Sequence, residues 1–344
     1  MRATARLLAA GALALALALV AGGCGSHAKP DATLPPAETD DSPEARLSDL
    51  TAVDVRVAAV AWRLARANAD LCPVSRRRAG WTLQSATQYG TELRPIAERR
   101  FGLAGDLPGV LAAPDDSPAA RAGLAPGDLI VAVNGYPLSL GTVGQAESYE
   151  GLQANITVLD GAVARGATRL TVRRGGAERS VDIHPVLACA YVTQVDLRIS
   201  PRSGFDGRLV WVTQGMVKLA QSEDELAFAL GHELAHAVLE HRTQPDVIGV
   251  KGASNWAISM RRGLSLSAEA DADRMAAYLV ARAAYDPAQA VEFLNRLGDS
   301  DPLMRTPQVN LGGVYEGTST RRRALQPVLE DIAARKAAGR ALIP

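Results

Sequence analysis

Two histidines four residues apart, with an acidic residue between them, form the stretch of this 344-residue chain most suited to chemistry. The stretch reads GHELAH and contains His232, Glu233 and His236, in a chain with only five histidines. Four residues along a helix correspond to about 40° of rotation and about 6 Å of rise, so both imidazoles can reach one ion. The HExxH spacing predicts one Zn²⁺ per chain, bound by the two histidines, with Glu233 as general base. The other interpretation is a histidine pair that binds polar groups at the surface.

A helix must position these side chains, and its limits can be read from the sequence. Ser222 and Glu225 have capping-box spacing, and no proline follows for many residues, so we expect a helix from about Glu223 to His241. On such a helix His241 lies about 180° away from His232. We therefore expect His241 to be a polar residue near the helix C-terminus and not the third metal ligand.

The third ligand is expected from the segment SAEADADRMAAYLVARAAYDP, which has helical apolar spacing and ends before Asp286. Glu269 and Asp273 lie four residues apart on one face of this helix, whereas Asp271 lies far round it. The longer Glu269 can reach the metal, while the shorter Asp273 can orient a ligand imidazole. The alternative is an acidic, solvated helix face.

Length and composition favour a globular protein of about two domains, with 47% hydrophobic and 22% charged residues. The 37 basic and 37 acidic residues balance to a net charge of zero. No nucleic-acid partner is therefore expected.

The N-terminus has the pattern of an export signal. Basic residues precede an Ala/Leu-rich stretch that is too short to span a membrane, and AGGC follows it. The stretch resembles a bacterial lipoprotein signal, with residues 1–23 removed and Cys24 lipidated; simple secretion is the alternative. Residues 24–43 read as a polar tether.

An amphipathic helix and a cysteine pair follow the tether. Apolar residues recur at steps of three and four over residues 44–72, which predicts a helix that docks on the rest of the chain. With Cys24 lipidated, Cys72 and Cys189 remain as an even pair in an oxidising compartment, so a disulfide between them is expected. Two buried thiols are the alternative.

Residues 95–187 read as short strands separated by turns. The segment SPAARAGLAPGDLIVAVNGYPL and the later hairpin ATRLTVRRGGAERSVDIHPV resemble a PDZ domain of the bacterial periplasmic protease type. The resemblance implies a β-sandwich or barrel-like fold and places a peptide-binding loop at Phe101, Gly102 and Leu103, where amides would receive a chain-terminal carboxylate. A PDZ domain used only as a rigid spacer is the alternative.

Residues from 190 to about 300 resemble HtpX- and BepA-like zinc metallopeptidases, peptidase family M48, through GHELAHAVLEHR followed by EADAD, and the metallopeptidase domain is expected to span residues 190–344. The resemblance implies a mostly helical zincin (minigluzincin) domain with a small sheet, which makes the expected fold α+β and multidomain. His232, His236 and Glu269 would be the ligands and Glu233 the base. The strand Arg208–Thr213 would be the edge on which substrate pairs.

The resemblance also implies a histidine before the C-terminal helix, but no histidine follows His241. We expect Tyr315 to donate to the oxyanion instead and Arg323 to be structural; a site that stays slow until substrate or PDZ engagement supplies a donor is the alternative. The expected function is a lipid-anchored endopeptidase facing the periplasm, most simply at the outer membrane, which acts on polypeptides. A periplasmic chaperone or assembly factor for outer-membrane proteins, and a PDZ adaptor with an inactive peptidase domain, are the other interpretations.

Overall fold

The computed structural model describes residues 40–141, 144, 146–241, 266–301, 305, 308–310, 313–315 and 317–344. The expected signal segment 1–23, the lipidation site Cys24 and most of the tether 24–43 lie outside the described residues. None of the helices in the described part is both long enough and apolar enough to span a bilayer.

The first helix, α1 (Pro43–Ala67), begins at a strong capping signal. The Ser42 hydroxyl accepts a hydrogen bond from a backbone N–H of the first turn at 3.2 Å. The predicted helix 44–72 is too long at its end, because Asn68 terminates α1. The buried Asn68 side-chain amide donates to the carbonyl oxygen of Leu279 over 3.1 Å, which fixes the helix end against the C-terminal half of the chain.

Helix α1 contributes to two hydrophobic clusters. Its apolar face, with Val57, Val60 and Leu64, joins the core of the C-terminal region, whereas Leu47 joins a smaller cluster near residues 86–103. The Arg56 guanidinium donates to three main-chain carbonyl oxygens of residues 217–222, at 2.7 to 2.8 Å. The helix is thus tied to both halves of the chain.

A short strand, β1 (Ser75–Arg78), leads into a six-stranded sheet. Its strands are β2 (Thr82–Gln84), β3 (Gly109–Ala112), β4 (Leu129–Val133), β5 (Tyr136–Pro137), β6 (Thr168–Arg174) and β7 (Ala177–Ile183). The strand order is β2-β3-β4-β6-β7, with β5 paired to β4. The helices of this region are α2 (Arg94–Phe101), α3 (Pro118–Arg121) and α4 (Glu150–Arg165), together with a 3₁₀ turn at Ala86–Gln88.

The β6–β7 hairpin has the register that its alternating sequence predicts. Leu170 pairs with Val181, and these side chains are buried together with Val172 and Ile183. Strand β2, however, lies before the predicted start of this domain at residue 95. Three residues are too few for an alternating pattern to show, which is why the sequence did not indicate this strand.

The strand β8 (Val186–Cys189) leaves the sheet and pairs antiparallel with β1, placing Ser75 opposite Cys189. A disulfide joins Cys72 to Cys189, with their Cα atoms 5.6 Å apart. The bridge connects the segment after α1 to the segment that leaves the six-stranded sheet.

The C-terminal region is mostly helical. Its elements are β9 (Val192–Asp196), β10 (Ser203–Phe205), β11 (Leu209–Thr213), α5 (Gln214–Leu219), α6 (Glu223–Val238), α7 (Leu266–Arg282), α8 (Gln289–Ser300), β12 (Gln308–Asn310), β13 (Gly313–Tyr315) and α9 (Thr318–Ala337). Helix α6 is the centre of this region, because its residues 225–237 are all buried.

The expectation that strand Arg208–Thr213 is an edge is wrong. This strand, β11, lies between β10, to which it is antiparallel, and β9, to which it is parallel. A tight turn with Gly207 at φ 96° returns the chain and adds β10 outside β11. Among the strands that the structure describes, the edge strand that packs beside α6 is therefore β10.

Candidate metal centre

Helix α6 begins with the capping interaction expected from the sequence and passes very close to α7. The Ser222 hydroxyl accepts from the backbone N–H of Glu225 at 3.2 Å, and Arg296 forms an ion pair with the buried Glu225 carboxylate. At Gly231, an added Cβ would lie only 3.2 Å from a methyl group of Val280 on α7. The glycine that precedes His232 thus lets the two helices approach each other.

The close packing brings together the three residues predicted as metal ligands. The Nε2 atoms of His232 and His236 lie 3.2 Å apart. The carboxylate oxygens of Glu269 lie 3.3 Å from His232 Nε2 and 3.7 Å from His236 Nε2. All three side chains are buried, and one potential ligand atom from each lies within 4.8 Å of the others.

The spacing of these atoms fits a four-coordinate zinc ion. Nitrogen and oxygen ligands at about 2.0–2.1 Å from a tetrahedral ion are separated from one another by about 3.3 Å. Glu269 Oε1 is also buried and has no hydrogen-bond partner among the described residues. A buried carboxylate oxygen without a partner is costly, and a cation at this point would satisfy it.

Asp273 lies against the His232 ring, where a carboxylate can orient it. Asp273 Oδ1 lies 2.8 Å from His232 Nδ1, which places the ring proton on Nδ1 and leaves Nε2 free to bind a metal. Asp273 is itself held by Arg321 of α9, whose Nε and Nη2 donate to its two oxygens at 2.6 and 2.5 Å. The sequence did not point to Arg321, although it connects the C-terminal helix to the site.

The charges around His232 favour a cation. Burial lowers the pKa of this imidazole, but hydrogen bonds to Asp273 and Glu269 outweigh burial and raise it. Burial likewise raises the pKa of Asp273, but the Arg321 guanidinium outweighs burial and keeps that carboxyl ionised. Burial and the neighbouring His232 lower the pKa of His236 to about 2, so His236 is neutral, the form in which imidazole binds metals.

Glu233 contacts the edge strand β10. The hydroxyl of Ser203, the first residue of β10, donates to Glu233 Oε1 at 2.7 Å. Burial raises the pKa of Glu233, with His232 acting in the opposite direction. A carboxylate with a raised pKa is a better proton acceptor near neutral pH, which suits a general base.

His241 lies in a different place from the one predicted. Helix α6 ends at Val238, three residues earlier than expected, and Glu240 adopts φ 53°. The chain then turns back, and His241 Nδ1 lies 3.2 Å from His236 Nδ1. His241 therefore contacts His236 but is not one of the three grouped residues itself.

The sequence analysis also assigned roles to two C-terminal residues, Arg323 and Tyr315. Arg323 is exposed and donates to Thr320 Oγ1 at 3.2 Å; Arg321, two residues earlier, is the arginine of the site. The Tyr315 backbone ends β13, but its side chain lies outside the described part of the structure, so its role as oxyanion donor stays a prediction.

The predicted peptide loop at Phe101, Gly102 and Leu103 lies at the end of α2. Gly102 terminates the helix in the left-handed region at φ 64°. Phe101 and Leu103 are buried in one cluster with Leu47 of α1. These two side chains therefore pack into the protein interior. The strand β2, which precedes them in the chain, lies at one end of the six-stranded sheet.

A cavity of about 330 Å³ opens between α7 and α9 beside the metal centre. Its lining includes the charged side chains of Glu269, Asp273 and Arg321 and the apolar side chains of Leu325 and Val328. The cavity is large enough for a side chain and reaches a predicted metal ligand directly.

Comparison with known proteins gave matches for both halves of the chain. Residues 109–149 match the family model described as PDZ domain, and residues 203–251 match that of Peptidase family M48, which includes the GHELAH stretch. These matches support a metallopeptidase that carries a PDZ domain. The comparison with curated proteins found no significant match. One similar solved structure is the crystal structure of the HtrA3 PDZ domain bound to a phage-derived ligand, FGRWV, with 26% identity over 33% of this chain and 89% of that one, at a TM-score of 0.23.

Proposed function

We propose that this chain is a zinc-dependent endopeptidase of the bacterial cell envelope. The observation that carries the proposal is the convergence of His232, His236 and Glu269, whose ligand atoms lie within 4.8 Å of one another beside Glu233. These three side chains would hold Zn²⁺, which would supply a Lewis acid for the scissile carbonyl and would lower the pKa of a water molecule so that it loses a proton and becomes a nucleophile. Glu233 is the residue placed to accept a proton from the attacking water and to give it to the departing amine.

The edge strand β10 is where we place the substrate. An extended polypeptide can pair with β10 through main-chain hydrogen bonds, as peptides do with exposed strand edges. Ser203 of β10 contacts Glu233 directly, so a chain paired there lies beside the base. The cavity between α7 and α9 then accepts a substrate side chain next to Glu269.

The PDZ region and the N-terminus supply recognition and location in this proposal. The PDZ region binds polypeptides, including chain ends, and delivers misfolded or misassembled envelope proteins to the peptidase region. Lipid on Cys24 holds the protein on the periplasmic face of a membrane, most simply the outer membrane. Both statements rest on sequence patterns together with the PDZ match.

The test measures cleavage and metal content in the same preparations. Wild-type protein is expected to hold about one zinc per chain and to cleave casein and an unfolded outer-membrane protein, with activity lost in chelator and restored by Zn²⁺. Glu233→Gln should keep its zinc and lose activity by at least about 100-fold, because the base is not a ligand. A Glu233→Gln variant that cleaves like wild type would sink the mechanism.

The chaperone alternative gives a different result in the same experiment. A holdase would contain zinc and suppress aggregation of the unfolded outer-membrane protein, but neither wild type nor Glu233→Gln would cleave it. Glu233 and its contact with Ser203 favour the peptidase, because a holding function has no use for a buried general base beside an edge strand.

A further inference from the structure

The two histidines of the GHELAH stretch each have a partner on the ring nitrogen that points away from the metal position. For His232 the partner is Asp273, 2.8 Å from Nδ1. For His236 the partner is His241, whose Nδ1 lies 3.2 Å from His236 Nδ1. The two rings are tilted by 56°, with their centroids 5.4 Å apart, so the contact is a nitrogen-to-nitrogen hydrogen bond and not a parallel stack.

The backbone places His241 there through a specific helix ending. The N–H of Glu240 donates to the carbonyl oxygen of Ala237 at 3.3 Å, and the N–H of His241 donates to that of His236 at 2.8 Å. These are the two hydrogen bonds of a Schellman motif, which places one residue in the left-handed region. That residue is Glu240 at φ 53°, where glycine is usual and any other residue costs about 1 kcal/mol.

The chemistry of a ligand imidazole explains what such a partner does. His236 Nε2 faces His232 and Glu269, so a metal held there requires the His236 proton to be on Nδ1. That N–H must donate to an acceptor to fix the ring orientation. His241 Nδ1 is the acceptor, and the His241 proton is then on Nε2.

We propose that His241 is the positioning residue of His236, holding its ring by a histidine-to-histidine hydrogen bond as Asp273 holds that of His232. The inference rests on the proposed metal site. Because it concerns metal affinity, it can be tested without measuring proteolysis.

The experiment measures zinc affinity by competition with a chromogenic chelator in the full-length protein. His241→Ala and His241→Phe remove the acceptor, and Phe keeps the volume of the ring; both are expected to weaken zinc binding by about 10- to 100-fold. His241→Asn places an oxygen where Nδ1 was, so it should restore affinity to within about threefold of wild type. His184→Ala is the matched control: it removes an exposed histidine that immediately follows β7, and it should bind zinc like wild type.

The melting temperature of each metal-free variant separates positioning from general damage. If His241 were purely structural, its replacement by Ala or Phe would lower the melting temperature of the metal-free protein, and His241→Asn would not restore zinc affinity. This result would overturn the inference. Wild-type affinity in both His241→Ala and His241→Phe would also overturn it, while the proposed function would stand. A wild-type protein that binds no zinc would instead refute the proposed function, and the inference with it.

Discussion

Glu269 and Asp271 are two residues apart on α7, yet they meet opposite surroundings. Two residues along a helix correspond to about 200° of rotation, so the two carboxylates point to different sides. Glu269 is 3% exposed and has an oxygen without a hydrogen-bond partner in the described part, whereas Asp271 faces solvent. Of these two carboxylates, only that of Glu269 is placed to bind a metal.

We therefore expect Glu269→Ala to weaken zinc binding by at least about 100-fold, because one of three protein ligands is lost. Asp271→Ala should leave the affinity unchanged, since its side chain lies on the solvated side of the same helix. Zinc titration against a chelator measures both. Equal affinities for the two variants would show that the carboxylate ligand was chosen wrongly.

Arg321 and Arg323 make a second matched pair. The Arg321 guanidinium lies against the buried Asp273, while Arg323 is exposed. Arg321→Ala leaves the Asp273 charge buried with its cationic partner removed, so the metal-free protein should lose about 3 kcal/mol of unfolding free energy. Arg323→Ala should change it by less than about 0.5 kcal/mol. Urea unfolding in the presence of a chelator measures both changes. Similar losses of unfolding free energy in the two variants would contradict the assignment of Arg321 as the partner of Asp273.

The sequence could predict which side chains share one face of a helix, because that depends only on their spacing along the chain. His232, His236, Glu269 and Asp273 follow from the 3.6-residue period and from side-chain length, and the structure brings them together. The position of β11 in the middle of its sheet could not be predicted in the same way. It depends on pairing with β10, whose three residues carry too little pattern.

The sequence also did not predict the contact of His241 with His236 or that of Arg321 with Asp273. His241 reaches His236 only because Glu240 adopts a left-handed conformation, and no glycine in the sequence announces that turn. Arg321, Arg322 and Arg323 are consecutive, so only the rotation of α9 relative to α7 determines which of them meets Asp273. Relative rotation is a tertiary property that spacing within one segment does not contain.

Helix α1 contains a carboxyl group that the fold disfavours when it is ionised. Burial raises the pKa of Asp54 to about 6, above about 3.9 for an unfolded chain. Between these values the folded state binds more protons than the unfolded state. The contribution of Asp54 to stability is therefore most favourable below about pH 4, falls as the pH rises through 6, and then levels off.

Replacing this group should remove the pH-dependent loss. We expect Asp54→Asn to raise the free energy of unfolding by about 1–2 kcal/mol at pH 8 and by nothing measurable at pH 4. The exposed Asp49 on the same helix is the control, and Asp49→Asn should change stability by less than about 0.5 kcal/mol at both values. A benefit of Asp54→Asn that is the same at pH 4 and pH 8 would refute this account.

For the whole molecule, the Cys72–Cys189 bridge closes a loop across 117 positions that contains the entire six-stranded sheet. A cross-link over such a loop restricts the unfolded chain strongly. The Cys72→Ala/Cys189→Ala double variant should lose about 2–5 kcal/mol of unfolding free energy. Reductant should destabilise the wild type by a similar amount and leave the double variant unchanged; a wild type insensitive to reductant would show that the bridge contributes nothing.

Helix α1 is separated by a long stretch of chain from the residues that bury it. The Arg56 guanidinium binds main-chain carbonyls that lie 161 to 166 residues later, and the Asn68 amide binds one 211 residues later. Contacts between such distant segments form slowly, because much chain entropy is lost before they can stabilise anything. Helix α1 therefore completes these contacts only after the chain up to Leu279 has been synthesised, and its apolar face remains accessible to folding helpers until then.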